Sequence, residues 1–234
     1  QKVFVNDITF DADGAGPPAR LGGGGLAIGG GIYVEGDVFL VVDGCTFEQG
    51  TSTATYGVGI GVVSSNFGPE IQIDNCSFWY LDATSTLLGA VARGAAIWQE
   101  SGSLTVMDSL FQNCTAGYGG AIHLSDVGAN IQRCEFMDNA ADNRGGAIYL
   151  TNSTAVLSEC WAMLNEASGL FAKGGAIAGS NSDISLTHCS FDFNRVTIEQ
   201  GGPLVNSGGA SYYGGGAVWA GNGDSFSVNT CEFH

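Results

Sequence analysis

Six cysteines stand at one position of a recurring pattern, apolar-x-apolar-x-x-Cys-x-Phe. They are Cys45, Cys76, Cys134, Cys160, Cys189 and Cys231. Cysteines equivalent in successive turns of a solenoid stack about 5 Å apart, within the reach of a disulfide. The ladder therefore reads either as coil-to-coil disulfides, such as Cys45–Cys76, or as a column of buried thiols acting as small hydrophobes. Cys114 falls at a different repeat position, five after Ser109, which takes the cysteine place in that copy.

A second row follows the isoleucine of a Gly-[Gly/Ala]-Ile-x-apolar motif: Tyr33, Gly61, Trp98, His123, Tyr149, Ala178 and Trp219. On a strand this position faces away from the core. Tyr33, Trp98, His123, Tyr149 and Trp219 thus form an expected outward aromatic stripe, a surface for stacking on sugar rings or for a protein contact. Three Asn-x-Ser/Thr sequons, at Asn75, Asn113 and Asn152, are candidates for glycosylation. Asn139, Asn165 and Asn194 share one repeat position and read as a structural ladder satisfying backbone groups at a corner.

Catalytic chemistry finds little support. A glycosidase needs a facing carboxylate pair. The nearest acidic groups, Asp7, Asp11 and Asp13, and Asp138 with Asp142, lack a matching basic set. His123, His188 and His234 are isolated in sequence, and no metal-ligand spacing occurs. No catalytic residue, metal ligand or cofactor is assigned.

The elements that carry these residues follow from the repeat. The pattern occurs eight times, from Val3-x-Val5-x-x-Ile8-x-Phe10 to Phe226-x-Val228-x-x-Cys231-x-Phe233. The two-residue gap before the cysteine inverts the side-chain parity, so a bend must sit there to return cysteine and phenylalanine to the interior. The Gly-Ile motif supplies a third short strand entered through a glycine corner. Successive cysteine positions are 25–42 residues apart, with almost all variation between the phenylalanine and the next Gly-Ile motif. A solenoid decorates a constant core in this way. The sequence predicts one right-handed parallel β-helix over residues 1–234, three short strands per coil, about seven to eight coils. Insertions at 11–31, 79–96 and 192–217 project from one edge.

The Gly-Gly-Ala-Ile tetrapeptides at Gly119–Ile122, Gly145–Ile148 and Gly174–Ile177, with Phe136-x-x-Asn139 and Phe191-x-x-Asn194, resemble the repeats of chlamydial-type polymorphic outer-membrane proteins. The resemblance implies surface display, adhesion or assembly. Phe111-x-x-Cys114 and Ala162 before Asn165 depart from the pattern.

Charge narrows the partners. Seven Lys and Arg stand against 23 Asp and Glu, a net charge of −16. Nucleic acid and anionic membranes are poor partners for such a surface. No apolar run is long enough for a transmembrane segment. The basic residues look scattered along the chain. Neither end shows a polar cap, and Val5-Asn6 matches Val228-Asn229. Either the chain is a window from a longer β-helix, or the strands holding Val3, Val5 and Phe10, and Phe226, Val228 and Phe233, are assembly edges that pair between subunits. The leading expectation is a non-enzymatic extracellular or cell-surface structural subunit that joins head to tail with itself. A carbohydrate-binding adhesin, with glycans as partners, is the alternative. A polysaccharide lyase or hydrolase stands third.

Overall fold

The structure is a computed structural model that describes residues 2–11, 31–36, 38–52, 57–63, 68–83, 92–169, 172–197, 216–221 and 223–234. Every strand pairing among these residues is parallel, and the strands form three sheets of 13, eight and six strands. The chain winds from the first sheet to the second to the third and back.

The bend expected before each cysteine is present as a single left-handed residue. Asp7, Gly44, Asn75, Asp108, Arg133, Glu159, His188 and Thr230 all have φ between 49° and 62°. It turns the chain from the first sheet into the eight-stranded second sheet. There the phenylalanines point inward and stack: Phe10 on Phe47 at 4.6 Å, Phe47 on Phe78 at 4.7 Å, Phe78 on Phe111 at 4.8 Å and Phe111 on Phe136 at 4.9 Å. Ala162 interrupts the column, and Phe191 and Phe233 resume it at 5.0 Å.

Two expectations need correction. The Gly-Ile strand is not the third side of the coil. It belongs to the same sheet as the apolar pair, and in Ile97–Met107 and Ile122–Gln132 both run as one strand of 11 residues. The true third sheet follows the Phe-x-x-Asn segment, in Thr51–Ser52, Asp82–Ala83, Thr115–Tyr118, Ala140–Arg144, Glu166–Ser168 and Arg195–Thr197. Its inward residues include Ala83, Ala116, Ala141 and Ala167, all buried. Alanine gives too little hydropathic contrast to mark a strand by alternation. Two of these strands lie inside the proposed insertions 79–96 and 192–217; residues 12–30, 84–91 and 198–215 of the three insertions lie outside the described residues.

The coil count also changes. Eight repeat copies mark eight strands of one sheet, not eight closed turns. The six third-sheet strands bound about five turns with all three sides present. Thr9–Asp11 and Glu232–Phe233, at the two ends of the second sheet, have no third-sheet strand beside them among the described residues.

The Gly-Gly-Ala-Ile motif is the corner back into the first sheet. Gly119, Gly145 and Gly174 have φ of 58–64°, where a Cβ would strike the carbonyl oxygen three residues on. The second glycine has ordinary φ but lies against its neighbour: a Cβ on Gly146 would overlap the Gly175 oxygen. Alanine and isoleucine then enter the core. One buried apolar cluster runs from Ile32 to Ala217.

Candidate functional site

The terminal strands are in register with the interior ones. Val3 pairs with Leu40 and Val5 with Val42; at the other end Ile184 pairs with Phe226, Leu186 with Val228 and Phe191 with Phe233. Their inward side chains are uncovered on one side. Phe226, Val228 and Phe233 are 43–45% exposed, while Val3, Val5 and Phe10 are half-buried. Phe4 and Ile8 are also exposed.

All seven cysteines are free thiols, so the ladder is one of thiols and not of disulfides. Each corner cysteine turns its Sγ to the carbonyl two residues back, as in Cys76 to Asp74 at 3.1 Å and Cys134 to Gln132 at 3.2 Å. Ser109 makes the same bond to Met107 at 2.7 Å and accepts one from the Cys76 amide at 3.1 Å. A natural serine in the ladder shows what the position requires: a small group that closes the corner by a hydrogen bond. Burial pushes Cys76 and Cys114 up to about 12. The hydrogen bond that holds Cys134 below the ordinary thiol range pushes Cys160 up to about 12. Buried thiols with raised pKa, as at Cys76, Cys114 and Cys160, are poor nucleophiles. Cys114 replaces an asparagine in the adjacent ladder and is fully buried. Its amide donates to Asn139 Oδ1, and Asn139 and Asn165 donate to the next asparagine's Oδ1 at 2.9 and 2.8 Å.

The aromatic row departs most from expectation. Tyr33, Trp98, His123 and Tyr149 lie on the face opposite the main core, yet they are buried, with 2–8% exposure. Only Trp219 is half-exposed. The stripe is not an open platform because its neighbours fold over it. Tyr33 and Trp98 pack together across Gly61, which leaves room between them. Tyr118 stacks on Tyr149 at 5.2 Å, and His123 on Tyr149 at 5.3 Å.

Tyr118 belongs to a row that sequence reasoning missed. Arg93, Tyr118, Arg144 and Lys173 each precede a left-handed glycine, and they pair in register from turn to turn. Three of the seven basic residues of an acidic chain thus align at one corner. The signal was in their common place before glycine, not in their spacing. Lys173 Nζ lies 3.9 Å from the centre of the Trp219 ring, and Arg144 lies at 5.6 Å and donates to Tyr149 Oη at 3.4 Å. Burial, and then Arg144, lowers the Lys173 pKa. Burial, and then Arg93, drives His123 down to about 3, so it is neutral; its Nδ1 meets no partner.

The sequons all fall on left-handed corner residues, Asn75, Asn113 and Asn152, with φ of 48–54°. Asn75 and Asn152 are exposed and Asn113 is half-buried. Asn152 Oδ1 accepts a bond from Asn181 at 2.7 Å. Asp7 and Asp138 are corner residues of the same kind. Asp13 lies outside the described residues. Among the described residues no three His, Cys, Asp or Glu side chains gather as metal ligands. No helix there is long and apolar enough to cross a membrane.

A family model described as a right-handed β-helix region matches residues 27–234. No curated protein and no solved structure matches the chain.

Proposed function

This chain belongs to the right-handed β-helix family, and from that premise we propose that it is a non-enzymatic structural protein of the cell surface or extracellular space. Its mechanism is end-to-end stacking of terminal coils on further copies of itself. What supports the reading is the continuity of register from the interior strands to the strands at either end of the stack. The register inside the solenoid extends across a joint without change: Phe226 would lie over Val3, Val228 over Val5, Asn229 over Asn6 and Phe233 over Phe10. Among the described residues each end strand pairs on one side only and carries apolar side chains, the combination that invites strand addition. The contact joins unlike faces, so it propagates without closing. The motifs Gly119–Ile122, Gly145–Ile148 and Gly174–Ile177 add support from their likeness to chlamydial-type surface repeats.

Electron microscopy of the native protein tests the reading. Eight rungs of the second sheet at about 4.8 Å give a subunit repeat of about 38 Å along a filament. Filaments with that repeat, lost on Val5→Lys or Val228→Lys substitution, are the expected result. Discrete particles at high concentration would overturn it.

A second reading, a carbohydrate-binding adhesin, draws on the Lys173–Trp219–Arg144 cluster, the half-exposed end of the aromatic row. Binding to a glycan array that is lost in Trp219→Ala would favour it. Trp98 and Tyr149 are too buried to serve as probes.

A further inference from the structure

The corner between the second and third sheets is occupied in every described turn by one left-handed residue. These are Gln49, Tyr80, Asn113, Asp138, Leu164 and Phe193, with φ of 52–58°. Asparagine and aspartate tolerate this conformation; bulky side chains rarely adopt it. Tyr80, Leu164 and Phe193 adopt it while remaining 58%, 47% and 68% exposed. Neither core packing nor backbone preference accounts for them. Strained residues without a folding role are a pointer to function.

Leu164 and Phe193 do not stand alone. They occupy successive turns, joined by the Leu164 amide bond to the Asp192 carbonyl at 3.0 Å. Met163 precedes Leu164 and pairs in register with Met137, both half-buried. Trp161 lies on the same outer face, its Nε1 held by Asp192 at 2.6 Å. Methionines and an anchored tryptophan beside two exposed apolar side chains make an adaptable contact surface. Tyr80 lies three turns away on the same corner, about 14 Å at the usual strand spacing.

The charges around this ridge indicate what fits it. Glu135, in register with Trp161, and Asp138, in register beside Leu164, make no ion pair among the described residues. The two cations of the region are already engaged, Arg133 by Asp108 at 2.7 Å and Arg195 by Glu166 at 2.6 Å. We propose that the corner formed by Met137, Trp161, Met163, Leu164 and Phe193 is a docking surface for a cationic segment of another protein that inserts apolar side chains between its basic residues. A second copy of this chain docked through this face would set Glu135 and Asp138 against their equivalents. An anionic lipid surface is repelled on the same grounds. The surface lies on the side of the solenoid and does not depend on end-to-end stacking.

The test uses the full chain and two fluorescent peptides of alternating leucine with either lysine or glutamate, followed by anisotropy. The lysine peptide is expected to bind saturably and more weakly as salt rises. The double variant Leu164→Asn/Phe193→Asn is expected to lose at least tenfold in affinity while keeping or raising Tm, because asparagine suits a left-handed corner. Val156→Asn, at an exposed apolar residue on the first sheet, is expected to bind as the parent does. Equal binding of the glutamate peptide, unchanged affinity in the double variant, or no saturable binding would overturn the proposal. So would a lower Tm in the double variant, which would make the two side chains structural. Dimerisation, or binding to phosphatidylglycerol vesicles, that the same variant abolishes would assign the surface to another occupant and likewise overturn it.

Discussion

Phe136 and Phe233 occupy the same place in the same repeat, point the same way and stack on an equivalent neighbour, yet one is 1% exposed and the other 43%. The strand, the corner before the cysteine position and the register are shared; among the described residues the terminal coil lacks a second neighbour and a third-sheet strand. Burial in this fold is therefore a property of the stack and not of the repeat, as nearest-neighbour coupling in solenoids requires. The corner ladders show the same contrast. Asn165 is fully buried between Asn139 and Asn194, whereas Asn194, nearer the end, is half-buried.

The contrast is sharpest at the phenylalanine column. Phe111→Ala, in the middle, is expected to cost about 3–5 kcal/mol in urea unfolding. Phe233→Ala, with one stacking partner, is expected to cost less than about 1 kcal/mol in the monomer. Equal losses would break the distinction. If subunits stack, Phe233→Ala instead weakens assembly.

At the asparagine ladder, Asn165→Ala leaves the buried Asn139 amide without its side-chain acceptor and removes one of the donors to the Phe136 carbonyl. A loss of about 3 kcal/mol is expected. Asn194→Ala, at a wetter site, is expected to cost clearly less in the same assay.

The pH dependence probes the middle coils through His123. Its folded pKa of about 3 lies below the ordinary 6.5 because of burial, so the unfolded chain takes up a proton that the folded one refuses. Stability is full above pH 6.5 and falls as pH drops from 6.5 towards 3. Between pH 7.5 and 5 the expected loss is about 2 kcal/mol. His123→Gln is expected to flatten that part of the profile; an unchanged slope would mean that the ring is not the source. The smallest effect is expected at the exposed Arg133–Asp108 pair: Arg133→Ala should leave the denaturation midpoint almost unmoved in low salt and unmoved in high salt.

Much of the fold was legible in the residues. The apolar-x-apolar-x-x-Cys-x-Phe parity predicted a bend, and a left-handed residue is there in each copy. The Gly-Gly-Ala-Ile corner and the asparagine ladder were legible because their residue types answer strict local demands. The third sheet was not, since Ala83, Ala116, Ala141 and Ala167 have no hydropathic contrast with the segments around them. The aromatic row was placed on the right face but misjudged in exposure. Parity tells which side of a strand a residue takes, not what lies over it. The basic row of Arg93, Arg144 and Lys173 escaped because 51 and 29 residues separate its members in sequence.

By itself the sequence determined the parallel stack, its corners and the column of inward phenylalanines, because a repeat imposes the same local geometry on every copy. Only the tertiary structure decided which equivalent residues are covered and which are open. Exposure depends on the neighbouring turns and on side chains folding over from the next corner. That is why six of the seven thiols are sealed, the aromatic row is closed up to Trp219, and Leu164 and Phe193 are left facing outward.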